Sequence, residues 1–284
     1  LRARAWELGI DLADVAATGP AGRIMQTDLD AHLARHPGRS PRASPAPART
    51  TSDTTQQIKI VGLRRKIAQK MQEAKRRIPH FTYVEEVDVG ELEALRAQLN
   101  EQWSGQRAHL TLLPFLVRAI VLALRDCPQV NARFDDEAGV LTRHDAVHLG
   151  IATQTDAGLM VPVLRDAGSH DLWSSAEEVA RLAEGARGGK LVRDQLAGST
   201  ITLTSLGRLG GIASTPVINH PEVAIVGVNR IVVRPVIRDG AVVARPLMNL
   251  SSSFDHRIVD GAVAAAFVQA VRERLEHPAM LFVE

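Results

Sequence analysis

Apolar positions recur along this chain at two periods, and the period switches from one segment to the next. Spacings of three and four residues predict helices over residues 1–8, 92–100, 112–125, 173–186 and 262–276. Alternation, or a short unbroken apolar run, predicts strands over 147–153, 159–164, 200–204, 223–228 and 248–254. Residues 232–237 and 241–247 flank Asp239-Gly240, a pair that suits a two-residue hairpin turn. Strands and helices in this mixture predict an α/β chain, folded as an α+β two-layer sandwich. No internal repeat is visible.

Residues 1–33 read as a separate small unit. Its first helix ends at Gly9, a turn of helix covers 11–15, and a last helix runs from Thr27-Asp28 through Leu33. Between them lies Thr18-Gly19-Pro20-Ala21-Gly22-Arg23-Ile24, a loop of turn formers. So few residues rarely hold a fold by core burial alone, so something further must fix the loop. Asp28 is the candidate, either as an acceptor of loop amide hydrogens or as a helix cap. Residues 34–57 alternate Pro, Ala, Ser, Thr and Arg, with almost nothing large and apolar, and read as a flexible linker. Residues 58–284 are the main domain.

Composition narrows the classes of function. The 284 residues carry 45% hydrophobic and 23% charged side chains, ordinary for a globular chain that buries a full core. Seven cations fall between Arg64 and Arg77 although net charge is only +2. Ile67, Met71 and Ile78 interleave with them as on an amphipathic helix, and aromatic content is 4%, so a nucleic-acid partner is not expected. The most apolar stretch, 110–124, is too short to span a membrane and contains Arg118. No signal peptide precedes the fold, and Leu at position 1 suggests a fragment or a processed piece. Cys127 is the only cysteine, so no internal disulfide forms and a reducing compartment suits the chain. Beside Pro128, at the end of an apolar run, it reads as a buried structural thiol.

Ten histidines show no metal-ligand spacing with Cys or Glu, so no metal is expected. No phosphate-binding glycine loop and no Gly-x-Ser-x-Gly elbow occur. His256 stands out because it follows an apolar strand and precedes a helix start, with Asp260-Gly261 beyond it. From residue types it is either a general base or a histidine satisfied by structure, and Asp260 is a site carboxylate or a helix cap. Thr204 ends a strand before the glycine-rich turn at 207–211. Its hydroxyl either donates to an oxyanion or merely closes a strand.

Ser253 to Gly261, with its Asp-His-Arg-x-x-Asp-Gly core, resembles the active-site signature of dihydrolipoamide acyltransferases of 2-oxo acid dehydrogenase complexes. The resemblance extends through Ile78-Pro79-His80-Phe81, Gly150-Ile151-Ala152, Gly158-Leu159-Met160-Val161-Pro162 and Pro221-Glu222-Val223-Ala224-Ile225. Residues 1–33 are similar to the peripheral subunit-binding domain of that family. The resemblance implies a chloramphenicol-acetyltransferase-like fold and homotrimers whose active sites lie between neighbouring subunits. It further implies assembly into cubic or icosahedral cores, with Met280-Leu281-Phe282-Val283 helping to join trimers. A 2-oxo acid dehydrogenase or dihydrolipoamide dehydrogenase would dock on residues 1–33, in the bacterial cytoplasm.

The implied reaction moves an acyl group from S-acyl-dihydrolipoamide to coenzyme A. His256 matches the base, Thr204 the oxyanion donor and Asp260 the carboxylate that orders the site. Positions matching the coenzyme A contacts are Arg96, Thr111, Gln154, Ser205, Asn229 and Ile231, together with Thr204. The runs 201–207 and 248–254 look most like branched-chain members, which implies isobutyryl, isovaleryl and 2-methylbutyryl groups. Acetyl or succinyl transfer stays open. The family carries lipoamide on a lysine after Asp, and none of the five lysines here follows Asp. The lipoyl domain is therefore expected outside this chain. A catalytically inactive docking scaffold and a free-standing small-molecule acetyltransferase are the competing readings.

Overall fold

The structure, a computed structural model, describes residues 1–36, 55–156 and 158–283. Contacts divide the chain into two compact units, Leu1–Ile58 and Lys59–Glu284. Most of the expected linker, residues 37–54, lies outside the described residues.

In the front unit, helices α1 (Arg2–Glu7) and α2 (Gln26–Arg35) enclose a core of Ala5, Val15 and Leu29. The buried Asp28 carboxylate accepts hydrogen bonds from the backbone N–H groups of Thr18 (3.0 Å) and Met25 (2.8 Å), and from the Thr18 hydroxyl. It is therefore loop anchor and helix cap at once. Helix α2 starts one residue earlier than expected, after a non-polar Met25, because Asp28 supplies the missing acceptor from inside the first turn. The Met25 amide, then the Thr18 hydroxyl and amide, hold the carboxyl below the usual carboxylate range.

The main unit runs α3 (Gly62–Arg77), β1 (His80–Asp88), α4 (Gly90–Gln102), α5 (Leu113–Asp126), β2 (Ala132–Asp135), β3 (Val140–Arg143), β4 (Leu149–Thr155), β5 (Gly158–Met160), β6 (Val163–Leu164), α6 (Leu172–Arg187), β7 (Ile201–Ser205), β8 (Ala224–Val228), β9 (Val232–Arg238), β10 (Ala241–Asp255) and α7 (Gly261–Glu276). Strands β2 and β3 form a separate hairpin. The others make one mixed sheet in the order β1-β10-β8-β7-β4-β5, with β6 also on β4 and β9 on β10. Strands β4, β7 and β8 are parallel, while β10 runs against both β8 and β1.

Side chains alternate between the two faces of a strand. Leu149, Ile151, Ile201, Leu203, Val226, Leu250 and Phe254 point to one face and pack on Phe115, Ile120, Leu182 and Phe267 of the helices. That is the core, and the two-layer sandwich expected from the pattern is present. The other face is built from small and hydroxyl residues: Gly150, Ala152, Thr202, Thr204, Gly227, Ser251 and Ser253. The segment 213–219 lies over part of this face, with the Ser214 amide donating to Ser251 (3.1 Å) and Ile218 packed on Ile225. A Cβ on Gly227 would sit 2.6 Å from the Ser251 carbonyl oxygen, so only glycine fits there.

Four elements differ from expectation. Residues 159–164 form two short strands, β5 and β6, because Pro162 cannot donate to β4 and instead accepts from the Ile151 amide (2.8 Å). Residues 241–254 form one strand rather than two, since β10 pairs first with β9 and then with β8. Strand β1 and the β2–β3 hairpin carry mostly half-exposed or exposed side chains, so neither shows the expected apolar alternation. The Asp239-Gly240 turn has left-handed backbone at both residues, as a two-residue hairpin requires. Cys127 is buried, and burial pushes its thiol pKa up. The apolar tail splits: Leu281 enters the core of its own chain, while Met280, Phe282 and Val283 are exposed.

Candidate active site

His256 sits in the turn between β10 and α7. Its backbone N–H donates to the Pro79 carbonyl (3.1 Å), and its ring rests on Phe81 at 4.4 Å between centroids. The side chain is exposed, and among the described residues its ring makes no hydrogen bond. Both ring nitrogens thus remain available to a substrate. Asp260 caps α7, its carboxylate accepting from the Val263 amide at 2.8 Å. That is the cap reading, and it ties the turn carrying His256 to the helix behind it.

Thr204 lies near the carboxyl end of β7, half-buried, on the sheet face away from the helices. Its hydroxyl has no hydrogen-bond partner among the described residues. Its strand neighbours are Ala152 and Gly227, and Ser214 and Pro216 of the overlying segment fill the space above Gly227.

One chain does not bring Thr204 and His256 together. Thr204 is level with Gly227 of β8, and Gly227 with Ser251 of β10. His256 lies five residues beyond Ser251, toward the amino ends of β7 and β8. At about 3.4 Å per residue and about 4.8 Å per strand, the two backbones stand roughly 20 Å apart.

The expected coenzyme A positions divide into two groups. Gln154, Thr204, Ser205, Asn229 and Ile231 cluster where β4, β7 and β8 end, the side of parallel strands at which ligands commonly bind. Ser205 accepts from the Gly207 amide (3.2 Å), Gln154 donates to the Thr155 carbonyl (3.2 Å), and Ser251 donates to Asn229 (2.7 Å). Ile231 is exposed. Arg96 and Thr111 lie apart, on α4 and ahead of α5. The Arg96 guanidinium is paired with Glu93 at 2.7 Å and braces the Leu110 carbonyl (3.4 Å), so a phosphate would have to displace a carboxylate. Among the described residues no cluster of three or more His, Cys, Asp or Glu could hold a metal. No helix among them is long and apolar enough to cross a membrane.

Two groups that the motif reading left without a role lie around these residues, one half-buried and one buried. His80 donates from Nδ1 to the Ile78 carbonyl (2.9 Å) and accepts at Nε2 from the Ile218 amide (2.9 Å). Only a neutral ring makes both bonds, and burial lowers its pKa in the same sense. Glu222, 1% exposed, accepts from Ser199, Thr202 and Asn219, and burial raises its pKa. Neither was predictable, because the bonds that bury them join segments far apart in sequence.

Residues 52–283 match the family model for the 2-oxoacid dehydrogenases acyltransferase (catalytic domain), and residues 2–30 match the e3 binding domain. The chain is 66% identical, over its full length, to the lipoamide acyltransferase component of the branched-chain alpha-keto acid dehydrogenase complex of Pseudomonas aeruginosa, and spans 66% of that relative. It is 38% identical to the dihydrolipoyllysine-residue acetyltransferase component of the pyruvate dehydrogenase complex of Staphylococcus aureus, spanning 70% of it. The structure superposes on a dihydrolipoamide acetyltransferase of Azotobacter vinelandii with TM-score 0.77 and 34% identity, covering 85% of this chain and 100% of that one. The cubic core of a pyruvate dehydrogenase multienzyme complex matches with TM-score 0.77 and 34% identity, covering 85% of this chain and 99% of that one. The chain belongs to the 2-oxoacid dehydrogenase acyltransferase family.

Proposed function

We propose that this chain transfers an acyl group from S-acyl-dihydrolipoamide to coenzyme A, within the core of a 2-oxo acid dehydrogenase complex. The observation that carries the reading is the exposed, unpartnered imidazole of His256 on a turn tethered at both sides. A thiol near its reference pKa is mostly protonated at neutral pH, so a base must remove its proton. His256 takes the proton of the coenzyme A thiol, and the sulfur attacks the thioester carbonyl. Negative charge gathers on the carbonyl oxygen, where the free Thr204 hydroxyl donates a hydrogen bond. Collapse expels dihydrolipoamide sulfur, which recovers the proton from His256. Asp260 orders the turn as a helix cap and carries no proton in this scheme.

The roughly 20 Å between the two residues requires that Thr204 of one chain meet His256 of a second. A closed ring of copies supplies this at every site at once, as in the trimers of the family. The Azotobacter enzyme was studied for a serine, a histidine and an asparagine in catalysis, spaced along its chain as Thr204, His256 and Asp260 are here. The cluster at the ends of β4, β7 and β8 is the place for the coenzyme A arm. A branched acyl group is the preferred substrate, because the relatives at 66% and 61% identity are branched-chain components while acetyl-transferring ones stand at 38%. The front unit holds a partner dehydrogenase. The same reading places the complex in a bacterial cytoplasm, where the lone Cys127 thiol stays reduced.

The test is turnover of isobutyryl-coenzyme A with free dihydrolipoamide by the assembled protein and by His256→Ala. Turnover should fall by at least about a thousandfold with assembly intact, the scale expected when a general base is lost. Equal turnover in the two proteins would refute the base.

A further inference from the structure

The residues on either side of His256 are tied to each other. Asp255 is 1% exposed, and its carboxylate accepts from the Arg257 backbone amide (3.1 Å), from Nε (2.9 Å) and from Nη2 (2.6 Å). This two-pronged geometry fixes direction as well as distance. The Asp255 carbonyl also accepts from the Ile258 (3.0 Å) and Val259 (2.9 Å) amides, closing the turn. The Arg257 guanidinium lies over the Phe134 ring at 4.8 Å and within 3.8 Å of Asp136. Asp136 in turn is held by Arg77 of α3 at 3.2 Å. Phe134 is fixed by its amide bond to the Pro221 carbonyl (2.8 Å). His256 itself takes no part in this chain of contacts. Its ring stands on Phe81 instead.

We propose that Asp255 and Arg257, braced by Phe134 and Asp136, are positioning residues that hold the His256 imidazole at its reacting angle. The clamp acts on the backbone before and after the histidine, and leaves both ring nitrogens free for the thiol. Neither residue needs to touch substrate. A charge alone does not replace the clamp, because lysine presents no planar fork to the carboxylate.

The proposal rests on the acyl-transfer reading, and the experiment separates the two. Steady-state rates are measured on the assembled protein for His256→Ala, Arg257→Lys, Arg257→Ala and Asp255→Asn. An unrelated exposed pair, cut by Arg181→Gln, is the control. Arg257→Lys should lose roughly a hundredfold in kcat, the scale set by displacing a catalytic group about 1 Å, with KM for coenzyme A unchanged. Added guanidinium, at concentrations that leave the parent unaffected, should restore kcat to Arg257→Ala severalfold. A purely structural role gives no such split and no such rescue. Parent-like kcat in Arg257→Lys overturns the clamp, as does a loss expressed in KM alone. If Arg257→Ala fails to assemble, Asp255→Asn decides, since it keeps the shape and removes one partner. A tenfold or greater loss in its kcat supports the clamp, and parent kcat overturns it. Activity in His256→Ala would instead overturn the underlying function.

Discussion

Glu222 shows what a single side chain contributes away from the chemistry. Its carboxyl is fully enclosed by Ser199, Thr202 and Asn219, and Lys70 reaches only as far as Asn219 (2.7 Å). Burial outweighs these hydrogen bonds and raises the pKa, so the folded protein binds the proton more tightly than the unfolded chain. The stabilisation is therefore complete below the ordinary glutamate value of 4.5 and is lost as pH rises through the raised one. Glu222→Gln keeps the size and the hydrogen-bonding groups without the titration. As pH rises above that ordinary value, its melting temperature should gain on that of the parent, because only the parent loses this term. Parallel melting curves across that range would show that Glu222 is not buried as a titrating acid. His80 works in the opposite direction. Its lowered pKa gives stability that is present above the unfolded value and lost on acidification, when the ring can no longer accept from Ile218.

At the scale of elements, legibility followed exposure. Helix α5 and the second half of strand β10 are buried nearly all round and were visible as apolar runs. Strand β1 was not, because Glu85, Glu86 and Asp88 interrupt its apolar residues and its pairing with β10 supplies the order instead. The β2–β3 hairpin has almost no apolar pattern, yet it delivers Phe134 to Arg257 and Asp136 lies in the turn beside it. The motif around His256 was legible because its residues are adjacent in sequence. Its support was not, since Pro79, Phe134 and Asp136 reach it from distant segments. The front unit depends on one carboxylate in the same way. Asp28→Ala removes the acceptor shared by the backbone amides of Thr18 and Met25 and by the Thr18 hydroxyl, and leaves those donors without a partner. Partner dehydrogenase should no longer be retained by the variant in a pull-down, while turnover of free substrates stays within about twofold, because the reacting groups lie in the main unit. Retained docking would show that the loop has another anchor.

For the whole molecule the decisive fact is topological. The strand register puts Thr204 and His256 at opposite ends of one sheet, and no local sequence pattern records that register. Two defective chains should therefore mend each other. His256→Ala and Thr204→Val are each slow alone, but refolded together they place an intact histidine beside an intact threonine. About a quarter of sites in randomly mixed rings regain both groups. Recovered turnover near that fraction is expected, and none above the sum of the separate variants would refute a shared site.

This arrangement has a consequence for the life of the chain before assembly. On the proposed shared site, a newly folded monomer presents the His256 imidazole but lacks the hydroxyl that would meet the reacting carbonyl. It cannot spend activated thioesters while adrift from its complex. Under the same proposal catalysis switches on only when copies close into a ring, and the geometry of the sheet becomes a checkpoint that couples metabolic output to correct construction.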